Sequence, residues 1–161
     1  MIKNNIKMKN IKNSRTPLVS IIILNYNAGN LLLDCVDSIQ QTNYDNYEII
    51  VVDNNSTDKS HIKCGKKFPT ISLIENTENL GYCEGNNVGI KNAKGEYVII
   101  LNPDTLVDPN WIKELILAYE KYGDGLYQPK FLTTTDHNTF MSTGNMIHLF
   151  GFGFSRSKGE F

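Results

Sequence analysis

Glu96–Thr105 reads EYVIILNPDT, and this stretch decides the fold. Tyr97–Leu101 is a nearly unbroken apolar run rich in β-branched residues, which predicts a strand buried on both faces of a parallel sheet. The run stops at Asn102-Pro103-Asp104-Thr105. Proline fixes φ and supplies no N–H, so the chain is predicted to turn sharply there and to hold Asn102 and Asp104 in a preset arrangement. Ligands of open α/β sheets bind outside the C-terminal ends of the strands, which makes Asp104 a candidate for the binding crevice. Two oxygen-bearing side chains so close together also suit a hard cation, because Mg²⁺ is usually held by one or two carboxylates plus substrate phosphates. The same four residues also read as an ordinary turn followed by an ordinary helix cap.

The pattern of apolar run and polar loop occurs twice upstream. Leu18–Leu24, LVSIIIL, follows Pro17 and predicts a first buried strand, with Asn25–Gly29 as its exit loop. Leu32, Val36 and Ile39 then recur at helical spacing, predicting a helix over Asn30–Gln41. Tyr47–Val52 predicts a second strand, leaving through Asp53–Asp58, with Ser56 as the expected N-cap of a helix running towards Lys67. Ile71–Glu75 predicts a brief third strand near an edge. The stretch Asn76–Gly89 is dense in Asn and Gly, and a helix is expected in its second part, up to Ala93, with Gly95 ending it.

After the Asn-Pro-Asp turn, Pro109 at a first helical position predicts a helix over Asn110–Lys121, stopped by Gly123 and Gly125. Its Trp111, Leu115 and Ala118 or Tyr119 share a face. Leu126–Phe131 is a candidate strand, and Phe140–Phe154 is aromatic and Gly-rich without a clear period. Strands alternating with helices predict a mostly parallel sheet with right-handed crossovers. The loops Asn25–Gly29, Asp53–Asp58 and Asn102–Thr105 then meet on one edge.

At 161 residues the chain has room for one domain of ordinary size. Its net charge is −1, yet Lys3, Lys7, Lys9, Lys12 and Arg15 precede every acidic residue. The rest carries eleven basic against seventeen acidic side chains, −6, which argues against nucleic acid as a partner. Residues 1–16 are read as a basic flexible leader and residues 17–161 as the folded domain. The leader has the charge to touch anionic lipid, but its Asn content and weak apolar character favour a solvated tail. No segment has the apolar length of a signal peptide or a membrane span. Cys35, Cys64 and Cys83 lack metal-type spacing, so reduced thiols in a cytoplasmic protein are expected. The expected location is therefore cytoplasmic, with peripheral contact at the inner face of the membrane as the one membrane association the leader allows.

An acidic, amide-rich crevice with Tyr26 at its lip suits a nucleotide whose phosphates arrive with a metal. Tyr26 is placed either to stack on a base or to pack its own loop. Asp53 is placed either to accept a hydrogen bond from a base ring N–H, strengthened by its charge, or to cap its own loop. Gly81–Gly89 can bring backbone N–H groups near phosphate or ribose, or simply make turns. There is no Walker-type lysine loop, no GxGxxG at the first turn and no Gly-x-Ser-x-Gly elbow. His61, His137 and His148 have no ligand spacing and are read, with the thiols, as surface or structural.

Four blocks in order, VSIIILNYN, YEIIVVDNNSTD, ENLGYCEGNNVGI and AKGEYVIILNPDT, resemble a family 2 glycosyltransferase, nearest its rhamnosyltransferase-like branch. QPKFL and MSTGNMI are similar to the next segment of that branch. The resemblance implies a GT-A type nucleotide-diphospho-sugar transferase fold, C-terminally incomplete because the acceptor-binding half is absent. It implies a nucleotide-diphosphate sugar donor, a saccharide or lipid-linked acceptor, and Mg²⁺ or Mn²⁺ as cofactor. By position, Tyr26 and Asp53 match base-contacting residues, Asp104 matches the metal-binding Asp that ends the Asp-x-Asp motif, and Asn102 stands where many relatives have its first Asp. Asn25 and Asn87 complete the expected substrate-binding set.

The implied activity is inverting glycosyl transfer of the hexosyl type, in polysaccharide biosynthesis. The general base is expected outside this chain, which would leave this polypeptide inactive or nearly so. Two rival readings are a non-catalytic nucleotide-sugar-binding fragment and a receiver-like regulatory domain with Asp53 as phosphate acceptor.

Overall fold

The computed structural model describes residues 16–132, 140–142, 145–147 and 153–155. Residues 1–15 of the leader and most of the last thirty residues, with His137 and His148, lie outside these. The fold divides into two compact units: residues up to Asp37 with Asp45–Leu106, and Ser38–Tyr44 with the chain from Val107 onward.

The first unit is built on a parallel four-stranded sheet of β1 (Val19–Asn25), β2 (Tyr47–Asp53), β3 (Ser72–Glu75) and β4 (Tyr97–Leu101), in the order β3-β2-β1-β4. Between strands run the helices α1 (Asn30–Gln40), α2 (Ser60–Lys67) and α3 (Gly81–Asn92). Right-handed crossovers put α1 and α2 on one face, and α3, which carries the chain back across to β4, on the other. Ile21, Ile22, Ile23, Ile50, Val51 and Val52 are all buried, because the two inner strands are covered on both sides.

α3 lies close to the sheet because its inward positions are glycines. A Cβ on Gly89 would stand 2.4 Å from Ile22 Cγ2, and one on Gly85 would stand 2.5 Å from Leu24 Cδ1. Gly81–Gly89 is therefore helix that packs on β1 and β2. Gly95 lies beyond the end of α3, and a Cβ there would meet the backbone of Ser20 at 2.6 Å. Its N–H donates to Ser20 Oγ at 2.8 Å, so it marks a close approach of backbones, and α3 ends earlier, at Asn92.

β4 is not enclosed as its apolar run suggested. Val98 is 44% exposed and Ile100 46%, both on the α3 face, because β4 is an edge strand among the described residues. An unbroken apolar run reports that both faces are meant to be covered, and says nothing about which rank the strand takes.

α2 also starts later than expected. Ser56 is not its N-cap. The helix begins at Ser60, after Lys59 in the left-handed region (φ 60°), and Ser56 serves the preceding loop.

In the second unit, α4 (Trp111–Tyr122) begins just past Asn110, so Pro109 stands before the first turn and not in it. Trp111 and Ile112 are buried, and Trp111 Nε1 donates to Thr42 Oγ1 at 2.9 Å. Of the expected strand over Leu126–Phe131, only β5 (Phe131–Leu132) forms, paired antiparallel with β6 (Phe140–Ser142). β7 (Asn145–Ile147) pairs antiparallel with β8 (Gly153–Ser155). No helix among the described residues is long and apolar enough to cross a membrane.

Candidate functional site

Parallel pairing brings the polar loops together. Asn25 and Asp53 face each other at the last rung of β1 and β2, and Leu101 of β4 pairs with Ile23. The segments starting at Asn25, Asp53 and Asn102 therefore leave the sheet along one edge.

Under that edge lies a buried polar cluster. Asn25 Nδ2 donates to Asp53 Oδ1 at 2.6 Å and also stands 3.0 Å from Ser56 Oγ and 2.9 Å from Ser60 Oγ. An amide carries two hydrogens, so these contacts cannot all be made at once, while Asn25 Oδ1 is buried without a partner. The Asp53 charge sets the amide's orientation, since the flipped amide would press two acceptors together. Asp53 is 2% exposed, and its Oδ2 accepts the Ser56 N–H at 2.8 Å, capping its own loop.

Further hydrogen bonds lace the loops to one another. Asn27, at φ 54°, accepts the Thr57 N–H on Oδ1 at 2.8 Å, and its own N–H donates to Ser56 Oγ at 2.9 Å. Gly29 N–H donates to Asp58 Oδ2 at 2.8 Å. Burial pushes the Asp58 carboxyl up, but the Ser60 N–H and hydroxyl and the Gly29 N–H outweigh it and hold the group below the ordinary Asp range. Asn54 ties the end of β2 to the start of α3. Its amide donates to Asn79 Oδ1 and Gly81 O at 2.9 and 3.1 Å, and its Oδ1 accepts from Asn76 Nδ2 and Leu80 N at 3.0 and 3.2 Å.

The Asn-Pro-Asp turn rests on Cys35, whose Sγ stands 3.6 Å from the Asn102 carbonyl oxygen. Burial pushes this thiol up to about 12, so it acts as a neutral donor. From the other side, Tyr82 of α3 gives its hydroxyl to Asn102 Oδ1 at 3.3 Å. Asp104 is exposed, and its carboxylate takes no hydrogen bond from the described residues.

The six candidate residues thus fall into three groups. Tyr26 (54% exposed), Asn102 and Asp104 are open at the edge, while Asn25 and Asp53 are buried together beneath it. Asn87 is exposed on α3, donates to Glu84 Oε2 at 3.1 Å, and shares no hydrogen bond with the other five. Sequence reasoning passed over His61, a buried residue standing between Asp53 and Glu75. It also passed over Asn27, Asn54 and Cys35 as supports. The Asn-rich loops were their one visible signal, since amides are common wherever a loop must satisfy its own backbone.

For a divalent metal, the donor set is Asp104 with Asn102 beside it. No group of three or more His, Cys, Asp or Glu among the described residues is placed so that it could hold a metal ion, which disfavours a site built from protein alone. One free carboxylate and a neighbouring amide oxygen nonetheless suit a hard cation that takes its other ligands from phosphate and water. The residues fit such an ion.

The model of a family described as Glycosyl transferase family 2 matches residues 20–160. The chain belongs to this family. Among similar proteins, an uncharacterised glycosyltransferase of Haemophilus influenzae is 35% identical over 108 residues, covering 65% of this chain and 33% of its own. Glycosyltransferase GlyG of Streptococcus pneumoniae is 36% identical over 101 residues, with 61% and 34% covered. The chain thus spans about a third of the length of these relatives.

Among solved structures, the mannosyltransferase PcManGT of Pyrobaculum calidifontis, in complex with GDP-Man and Mn²⁺, is 27% identical at a TM-score of 0.59, covering 64% of this chain and 32% of that one. S. aureus TarS 1-349, in complex with UDP-GlcNAc, has the same TM-score at 21% identity, with 68% and 37% covered. The sheet and its helices are those of the GT-A type fold that the sequence motifs implied.

Proposed function

We propose that this family 2 chain forms the donor-binding part of an inverting hexosyltransferase, in the rhamnosyltransferase-like branch. It would take a nucleotide-diphosphate sugar and serve transfer to a saccharide or lipid-linked acceptor at the cytoplasmic side of a membrane. The observation that carries this reading is the shared sheet edge, where the open side chains of Tyr26, Asn102 and Asp104 stand over the buried Asn25–Asp53 pair.

In this reading Tyr26 stacks on the base, a contact of about 1–3 kcal/mol where alanine substitution has measured it. Asp53 accepts a ring N–H of the base through a lone pair that Asn25 and Ser56 leave free, since a carboxylate offers about four acceptor sites. Its burial means the 54–58 loop must yield for that contact. Asp104, helped by Asn102, holds Mg²⁺ or Mn²⁺, with Asn87 on the sugar side. The bound ion would supply Lewis-acid neutralisation of the charge that grows on the departing nucleoside diphosphate. The Tyr82 hydroxyl and the Cys35 thiol fix the turn that presents Asp104, so the carboxylate is oriented before the donor arrives. No residue of this chain is assigned as the base that activates the acceptor hydroxyl. Binding of GDP-Man with Mn²⁺ by PcManGT supports the reading.

The test is a calorimetric titration of UDP, dTDP and GDP, with and without Mn²⁺, on the protein and on Asp104→Ala. At least one nucleotide is expected to bind, more tightly with metal, and Asp104→Ala is expected to abolish the metal's contribution. Binding that ignores both metal and the substitution would take Asp104 out of the site.

A further inference from the structure

The last residues of β2 and β3 are in register, so Asp53 stands opposite Glu75. Like charges directly opposite on neighbouring strands repel. His61, in the first turn of α2, sits between them, with Nδ1 3.2 Å from Asp53 Oδ1 and Nε2 3.3 Å from Glu75 Oε1. The His61 side chain is 9% exposed, and its Nδ1 is buried without a hydrogen-bond partner among the described residues. The Nδ1 contact is short but lies off the line of a hydrogen bond. The two carboxylates differ sharply in freedom, since the Asp53 side chain is 3% exposed and that of Glu75 59%. Glu75 can turn to water. Asp53 cannot.

A neutral imidazole has one N–H to give, and the buried partner has the greater need of it, because an unpaired buried charge costs far more than a solvated one. Taking as given the proposal that Asp53 reads the base, we propose that His61 is a positioning residue for donor binding, its Nδ1–H aiming the Asp53 carboxylate at the base. The Nε2 contact to Glu75 is secondary.

Asparagine and glutamine separate the two ring nitrogens. The Asn amide nitrogen lies as many bonds from Cβ as Nδ1, and the Gln amide nitrogen as many as Nε2. The experiment is calorimetry of UDP, CDP and GDP with Mn²⁺ on the wild type, His61→Asn, His61→Gln and Glu75→Gln, with melting curves for each. For the best-bound nucleotide, His61→Asn is expected within about threefold of the wild-type Kd and Glu75→Gln near unchanged. His61→Gln is expected to weaken binding about tenfold or more and to narrow the preference between bases. A purely structural role would instead make affinity follow melting temperature and leave base preference intact, and that outcome overturns the inference. So does equal binding by the Asn and Gln variants. If the wild type binds none of the nucleotides, the functional reading itself falls and takes the inference with it.

Discussion

Gly89→Ala tests how closely α3 is held to the sheet. Replacing Gly by Ala inside a helix should stabilise it by roughly 1 kcal/mol through backbone entropy. Here the new methyl would stand 2.4 Å from Ile22 Cγ2 and 3.2 Å from Val52 Cγ2. Both neighbours are fully buried and β-branched, so neither can swing aside by changing χ1. Overpacking of this kind costs about 1–3 kcal/mol, and so short a contact belongs near the upper end. Subtracting the propensity gain leaves a net loss of about 2 kcal/mol. At roughly 2–4 °C per kcal/mol for a chain of this size, the melting temperature should fall by several degrees. Urea denaturation followed by far-UV circular dichroism reads the change. In an Ile22→Ala background, where the obstructing methyl is gone, the same substitution should cost less than half as much, because residues in contact are not additive. A Gly89→Ala variant as stable as the parent, or a loss unchanged by Ile22→Ala, would refute the close packing of α3.

Thiol labelling of the folded protein should stop at Cys83, which is exposed, while Cys35 and Cys64 are buried with their thiols pushed up to about 12 and about 11; a native Ellman titration giving more than one equivalent would contradict this. The Asp58 carboxyl is held below its ordinary value, so its contribution is present above about pH 4 and is lost as pH falls through the lower folded value. Asp58→Ala removes the acceptor for the Gly29 and Ser60 donors and should cost about 1–3 kcal/mol at pH 7, the difference from the parent shrinking in denaturation curves taken towards pH 3.

Much of this fold could be read from the chain because its inner strands are simple. Ile21–Leu24 and Ile49–Val52 are unbroken apolar runs that end in polar loops, and no competing period disturbs them. The Asn-Pro-Asp turn was visible for the same reason. What escaped depends on pairings between segments distant in sequence. Ser56 looks like a helix cap locally, but its hydroxyl serves Asn25 and Asn27 across the loop. His61 looks like a surface histidine until register sets Asp53 against Glu75 beside it. Gly85 and Gly89 suggest phosphate loops in isolation, and only the position of β1 shows that a side chain at either would have to displace a neighbour on that strand. Asp53 allowed two readings, and the Ser56 N–H that it accepts gives the capping role a physical basis while leaving its charge in place.

The pairing of Asn25 with Asp53 makes the site a matter of counting. Side chains in a strand alternate between faces, so one residue inserted between Val19 and Leu24 would rotate Asn25 away from Asp53 and turn an aliphatic neighbour towards it. Apolar identities within β1 can drift among similar shapes with little harm, whereas its length cannot change by one without dismantling the polar pair at its end. In the proposed site the spacing of a strand matters as much as the identity of the residues at its end.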